Sequence, residues 1–306
     1  MSSENRYTDY DTWAWLYNKT MGPQYSKKQL SLLEKLLLPH LPKGAQILDL
    51  CCGTGQLVQQ LLNKGYKVSG LDGSEAMLQY ARQNAPGGKF ILGDARFFEL
   101  PFTFDAVFST SASLNHVMSL EELKSVFRNV YAALRENGMF LFDLNHKGQL
   151  EKWWNGYIAE GEIEDECAWA ITPSYNTKDE TGNFKVTIFQ APSRNQDKKL
   201  TKFGSIIQKK IKRWQYKMLN LRLLTRFRLK LLAKFQSVET NWQRSDIIYI
   251  VKGYSGAEVK SALEDVGFTE VTICTIEGNS VVDNNHSAHF ICRKPCNSSK
   301  FYEFHE

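Results

Sequence analysis

Between residues 45 and 145, short apolar runs alternate with stretches whose apolar positions recur at helical spacing. Gln46–Leu50 reads as a strand, and Gln56–Asn63 as a helix with Leu57, Leu61 and Leu62 on one side, closed by Gly65. Lys67–Leu71 is a second strand and Ser74–Asn84 a second helix, with Ser74 in the N-cap position. Further strands are expected at Lys89–Leu92, Phe104–Ser109 and Gly138–Leu144, with a helix over Ser119–Arg135. Strand and helix in strict alternation imply parallel pairing, hence an α/β, doubly wound, mostly parallel sheet. Ligands of such sheets sit at the carboxyl ends of the strands.

After residue 145 the alternation stops. Ala168–Thr172 and Phe184–Phe189 read as antiparallel strands, with Thr181 and Gly182 marking the turn between them. Alternation resumes with strands at Asp246–Val251, Thr272–Ile276 and His289–Arg293 and a helix over Ser255–Val266. The expected organisation is therefore 1–145, an insertion over 146–245, and a closing part over 246–306.

Composition changes this picture in one place. The net charge is +5, yet Lys198–Lys234 holds thirteen Lys or Arg and no Asp or Glu. Taking those thirteen from the net +5 leaves −8 for the remainder. Phe203, Ile207, Ile211, Trp214, Met218 and Leu221 give the segment helical spacing, but Arg226–Leu231 alternates with period two, which weakens a helical reading there. Three meanings stay open: a lid docked on the acidic body, a membrane-surface helix, or a site for nucleic acid. The acidic remainder and the absence of an RNA-binding module place nucleic acid last. No stretch approaches the roughly 20 apolar residues of a membrane span. The start MSSENRYTDYDTW lacks a secretory pattern, so a cytoplasmic protein is expected. The six cysteines form no CxxC pair; reduced thiols and no metal are expected.

The chemistry centres on Asp49-Leu50-Cys51-Cys52-Gly53-Thr54-Gly55, a tight turn from strand to helix. Gly53 and Gly55 carry no side chain where backbone must pass a ligand, and the helix start offers free N–H groups. A dinucleotide fingerprint would need glycine at 58, where Val58 stands, which lowers the case for a nicotinamide enzyme. Asp72, 23 residues after Asp49, ends the second strand where a carboxylate accepts from ribose hydroxyls; a turn or capping aspartate would occupy the same place. Asp94, with Ala95, follows the third strand, where a carboxylate can accept from an adenine amino group; taken alone it reads equally as an ordinary loop acid.

Taken together, ILDLCCGTGQ, GLDGSEAML, GDAR, FDAVFSTSASLNHV and FLFDLN, in that order over residues 45–145, resemble the class I S-adenosylmethionine-dependent methyltransferases. The resemblance implies a seven-stranded sheet with a small antiparallel and helical insertion, and S-adenosyl-L-methionine as cofactor with S-adenosyl-L-homocysteine as product. It implies that Gly53 and Gly55 approach the methionine part, Asp49 its ammonium end, Asp72 and Gly73 the ribose, and Asp94 and Ala95 the adenine. Ser109 to Ser111 would line the far side. The family usually has glycine where Cys51 stands. The stretch YDTWAWLYNKTMGPQY resembles the family's lid helix, making Tyr10 and Tyr17 cofactor-covering candidates; packing of that helix on the sheet is the alternative.

On the acceptor side, His116 after the fourth strand and His146 after the fifth are the candidate proton acceptors, with His286 and His289 farther off. Trp153, Trp154, Trp169 and Tyr175 of the insertion offer walls for an apolar or aromatic small molecule, or a core of their own. The expected reaction is methyl transfer to oxygen or nitrogen of a small-molecule metabolite. The alternatives are RNA or protein methylation through the basic segment, and cofactor binding without turnover. Ser109–Ser113 reads S-T-S-A-S where base and glutamine N-methylation would call for N-P-P-Y, which opposes the first alternative.

Overall fold

The computed structural model describes residues 8–192 and 214–296. Seven strands form one sheet: β1 (Gln46–Leu50), β2 (Lys67–Asp72), β3 (Lys89–Leu92), β4 (Phe104–Ser109), β5 (Leu134–Leu144), β10 (Thr269–Cys274) and β11 (Ala288–Arg293). Their order is β10-β11-β5-β4-β1-β2-β3. β1 pairs in parallel with β2 and β4, β2 with β3, and β4 with β5, while β11 runs antiparallel to both β5 and β10. The reversal of order between β1 and β4 opens the crevice in which doubly wound sheets bind their ligands.

Alternate residues of the central strands feed two cores, one on each face. Phe140, Phe142 and Leu144 of β5 join Phe127, Leu263 and Phe290 on one face. Met139 and Leu141 join Leu33, Val58, Leu61 and Phe108 on the other. Helices cover both faces: Met21–Leu36, Gln56–Asn63, Glu75–Asn84, Leu120–Ala133 and Gly256–Val266. Three open on a serine that accepts the backbone N–H three residues on: Ser74 from Met77, Ser119 from Glu122 and Ser255 from Glu258.

The chain divides into two compact units, one comprising the residues up to Gln149 and from Lys252 onward, the other Leu150–Val251. The second unit contains a four-stranded sheet in the order β6 (Glu160–Ile163), β7 (Cys167–Asn176), β8 (Thr181–Gln190), β9 (Gln243–Lys252). β7 is antiparallel to both β6 and β8. Its core joins Ile163, Ala168, Phe189, Leu232, Phe235 and Trp242. Trp169, expected as a possible pocket wall, is 1% exposed, while Trp153 is 52% exposed. In the first unit, the Asn115 amide donates to the carbonyls of Asn145 and Lys252 at 3.0 and 2.8 Å and accepts the Asn145 N–H at 2.9 Å.

Two sequence expectations shift. Thr181 and Gly182 lie within β8 and not in the turn, which falls at 177–180 and closes on Glu180 at φ +54°. The period-two stretch Arg226–Leu231 lies in a helix, Thr225–Ala233: Arg228 and Leu232 face inward, and Arg228 donates to the Gly161 and Leu219 carbonyls. Tertiary bonding overrides the local pattern there. Residues 198–213 of the basic segment lie outside the described residues.

Candidate active site

The turn after β1 is built by backbone that L-residues rarely adopt. Cys51 sits at φ +66°, Gly53 at +53° and Gly55 at +75°. The Cys51 and Cys52 N–H groups both donate to the Leu71 carbonyl, at 2.8 and 3.1 Å, which ties the turn to the end of β2. The two glycines have different tasks. A Cβ on Gly55 would lie 2.9 Å from Ala81, so its missing side chain lets the helices Gln56–Asn63 and Glu75–Asn84 touch. A Cβ on Gly53 would meet only the Tyr17 ring, 3.7 Å away, and Gly53 lines an open pocket.

That pocket is walled by Tyr17, Asp49, Cys51, Gly53, Gln56 and Ser111, among others. It thus brings together five of the residues the sequence selected. Asp49 is 3% exposed, and burial first, then the nearby Asp72 carboxylate, raises its pKa well above the usual carboxylate range. Among the described residues nothing hydrogen-bonds the Asp49 carboxylate, and a buried carboxylate that faces a pocket is suited to a cationic ligand. The ammonium and sulfonium groups of S-adenosylmethionine meet that requirement, so the residues fit the cofactor.

Asp72 stands behind the turn. Its Oδ2 accepts the Gly53 N–H at 2.8 Å and its Oδ1 the Ser74 N–H at 2.9 Å. Burial raises its pKa, and the N–H groups of Ser74, Gly53 and Gly73 oppose that shift. Each oxygen retains a lone pair for a hydroxyl donor. Asp94 is bound more tightly by the protein. Arg96, 3% exposed, reaches both of its carboxylate oxygens through Nε at 3.1 Å and through Nη2 at 2.7 Å, and places Nη1 2.7 Å from Glu122. Ala95 packs in the core, its carbonyl accepting from Asn129. Ser109 is buried at the end of β4; Ser111, two residues on, reaches the pocket.

The N-terminal stretch is three helices, Thr8–Asp11, Ala14–Lys19 and Met21–Leu36. It lies across the site. Asn18 Oδ1 accepts from Gln56 at 2.8 Å and from Asn84 at 2.6 Å. Asp11 Oδ1 accepts the Ser74 hydroxyl at 2.5 Å. Tyr10 does not line the pocket; its hydroxyl hydrogen-bonds His116 Nε2 at 2.8 Å, with the rings edge to face. Sequence reasoning missed Tyr25, Ser26 and Gln29, which line the pocket from Met21–Leu36. A helical pattern with polar residues one turn apart was the available signal.

The loop after β4 is also strained. Ser111 and Ala112 are consecutive left-handed residues at φ +64° and +55°. Asp143 holds them: its Oδ2 accepts the Ala112 N–H at 3.0 Å, and the Ser111 backbone also donates to the carboxylate. Burial lifts Asp143 to a pKa of about 7 against those bonds. Gln29 donates to the Ser111 hydroxyl at 3.2 Å. The turn Ser113–His116 follows, and Ser113 lines the pocket. His146 is not a pocket residue; its Nε2–H donates to the Asp283 carbonyl at 3.1 Å. His286 bonds the Asp283 carboxylate, whose pKa Asn285 and His286 draw down to about 2. Burial lowers His289 to about 4.

Comparison with known proteins agrees with this geometry. A family model for a methyltransferase domain matches residues 47–138. An uncharacterized methyltransferase of Synechocystis sp. is 33% identical over 179 residues, covering 54% of this chain and 81% of its own length. The dTDP-3-amino-3,6-dideoxy-alpha-D-glucopyranose N,N-dimethyltransferase of Streptomyces fradiae is 30% identical over 49% of this chain, but that match spans only 57% of the enzyme. Among solved structures, an S-adenosylmethionine-dependent methyltransferase from Clostridium acetobutylicum superimposes with a TM-score of 0.65 at 17% identity, over 94% of this chain and 99% of that one.

Proposed function

The chain belongs to the class I S-adenosylmethionine-dependent methyltransferases, and from that membership we propose that it methylates a nitrogen or oxygen of a small-molecule acceptor, an amino sugar being the best supported class. The observation that carries the donor half is the buried Asp49 carboxylate, which lines the same pocket as Gly53 and Tyr17. The bound cofactor supplies a methyl group on a sulfonium, an electrophile already activated. The protein's work is therefore alignment, for which orientation supplies roughly 7–11 kcal/mol. Asp49 holds the cationic amino-acid end, Asp72 and Gly73 the ribose, and Tyr17 covers the turn. Asp94 and Ala95 remain the adenine candidates, with Asp94 oriented by Arg96.

For the acceptor, the sequence similarity to the amino-sugar N,N-dimethyltransferase supports an amine. A protonated amine must lose its proton before it attacks, and His116 is our candidate to receive it. It closes the turn that starts at pocket-lining Ser113, and Tyr10 steadies its ring. His146 is the second candidate. We assign acceptor recognition to the Leu150–Val251 unit, with Trp153, Trp154 and Tyr175 as its aromatic candidates.

Calorimetry tests the donor half. Asp49→Asn should weaken S-adenosylmethionine binding by about tenfold or more, the worth of a charge-assisted contact. Asp72→Ala should do the same; undiminished affinity in both would remove the assignment. Release of S-adenosylhomocysteine, assayed across nucleotide-linked amino sugars and their hydroxy counterparts, tests the acceptor half. Turnover on none of the amines would sink the amino-sugar reading.

A further inference from the structure

We propose that the helical part of the second unit, residues 214–238, is a docking surface for an anionic lipid bilayer. The segment has two sides. Tyr216, Leu232 and Phe235 point into the unit's core, Arg228 is spent on two backbone carbonyls, and Glu239, just beyond, bonds the Tyr216 hydroxyl inside. Outside that core, several large apolar side chains are open. Leu223 is 93% exposed, Phe227 65%, Trp214 64% and Val238 55%. Trp214, Met218 and Val238 belong to a single shallow groove that continues inward to Leu219, Leu224 and Leu231. Single exposed apolar side chains are ordinary, but a cluster of this kind marks an interaction face.

Charge selects the occupant. Lys217, Arg222, Arg226, Lys230 and Lys234 are exposed among these residues, and none forms an ion pair among the described residues. Residues 214–238 contain no Asp or Glu. Cations interleaved with Trp, Phe and Leu suit a headgroup layer: phosphates take the Lys and Arg, and the apolar tips enter the acyl boundary. Nucleic acid would use the cations and could stack on Trp214, but gives Leu223 and Val238 nothing to bury against. No helix among the described residues is long and apolar enough to cross a membrane, so the contact is peripheral.

Sedimentation of the full chain with phosphatidylcholine vesicles, with and without phosphatidylserine, tests this, alongside a labelled single-stranded RNA. The chain should sediment with the serine-containing vesicles and stay in solution with the others. Arg226→Gln and Lys230→Gln should each weaken partitioning about fivefold. Leu223→Ser and Phe227→Ser should weaken it more than tenfold. Near-ultraviolet circular dichroism, to which the buried Trp169 and Trp242 of the second unit contribute, reports folding and should be unchanged in all four. Failure to sediment with anionic vesicles overturns the proposal. So does sedimentation unaffected by the two apolar substitutions, or RNA binding without vesicle binding.

Discussion

Cys51 occupies a left-handed position that its family usually gives to glycine, and the balance of terms there is close. An L-residue in that region costs about 1–2 kcal/mol. Glycine would remove that cost but lose about 0.5–1 kcal/mol of chain entropy, together with the packing of Cys51 against the core. Cys51→Gly should therefore stay within about 1 kcal/mol of the parent in urea denaturation. Cys51→Val, β-branched at the same φ, should cost at least about 2 kcal/mol. At His116 the test is kinetic. His116→Ala should lower kcat by roughly 10²–10⁴-fold with donor affinity unchanged. Tyr10→Phe, which keeps the ring and deletes the hydroxyl, should lower kcat only several-fold, near the worth of one neutral hydrogen bond. Equal losses in both variants would make the pair a structural latch.

Asp143 on β5 stands opposite His289 on β11, and the two titrate in opposed senses. As pH falls from about 7 toward 3.8, folded Asp143 gains its proton before the unfolded chain does, so stability rises. His289, held to about 4 against an ordinary 6.5, resists the proton that the unfolded chain accepts, so stability falls through that window. Between about 4 and 6.5 the slopes offset each other. Asp143→Asn should expose a loss of stability on acidification, and His289→Gln a gain; parallel pH profiles for the two variants would refute the assignment. A second test concerns the helices Gln56–Asn63 and Glu75–Asn84. Gly55→Ala forces a methyl against Ala81 at positive φ and should cost about 1–3 kcal/mol by thermal denaturation. This level also shows what the sequence could carry. β1 to β5 and their helices were legible because period and cap chemistry are local, as at Ser74. The helix Met21–Leu36 was legible only as far as Tyr25, where the stretch resembling the lid helix ends; its Pro23 sits in the first turn, where proline is tolerated. Nor could local pattern announce Arg96 reaching Glu122, Asn18 bridging Gln56 and Asn84, or the left-handed pair at Ser111 held by Asp143, which depend on residues far apart in the chain.

For the whole molecule, the donor turn lies wholly in the first unit, and the second unit is a continuous stretch of chain. Asn115 bears on how separable they are. Its buried amide grips the carbonyls of Asn145 and Lys252, the points where the chain leaves for the excursion and where it has returned. Lys147 N–H, donating to Tyr254 at 3.2 Å, repeats the fastening. The two crossings are thus sewn together within the first unit. Replacing Leu150–Val251 by a short glycine-serine bridge closes a gap that is already closed, and loop entropy grows only by about 0.6 kcal/mol per doubling of length. The shortened chain should fold, bind S-adenosylmethionine as the parent does, and turn over no acceptor; loss of donor binding would contradict this. Asn115→Ala should make that truncation far less tolerable than it is in the parent. If donor binding survives in this way, the stretch Leu150–Val251 is a part that can be exchanged without rebuilding the donor turn.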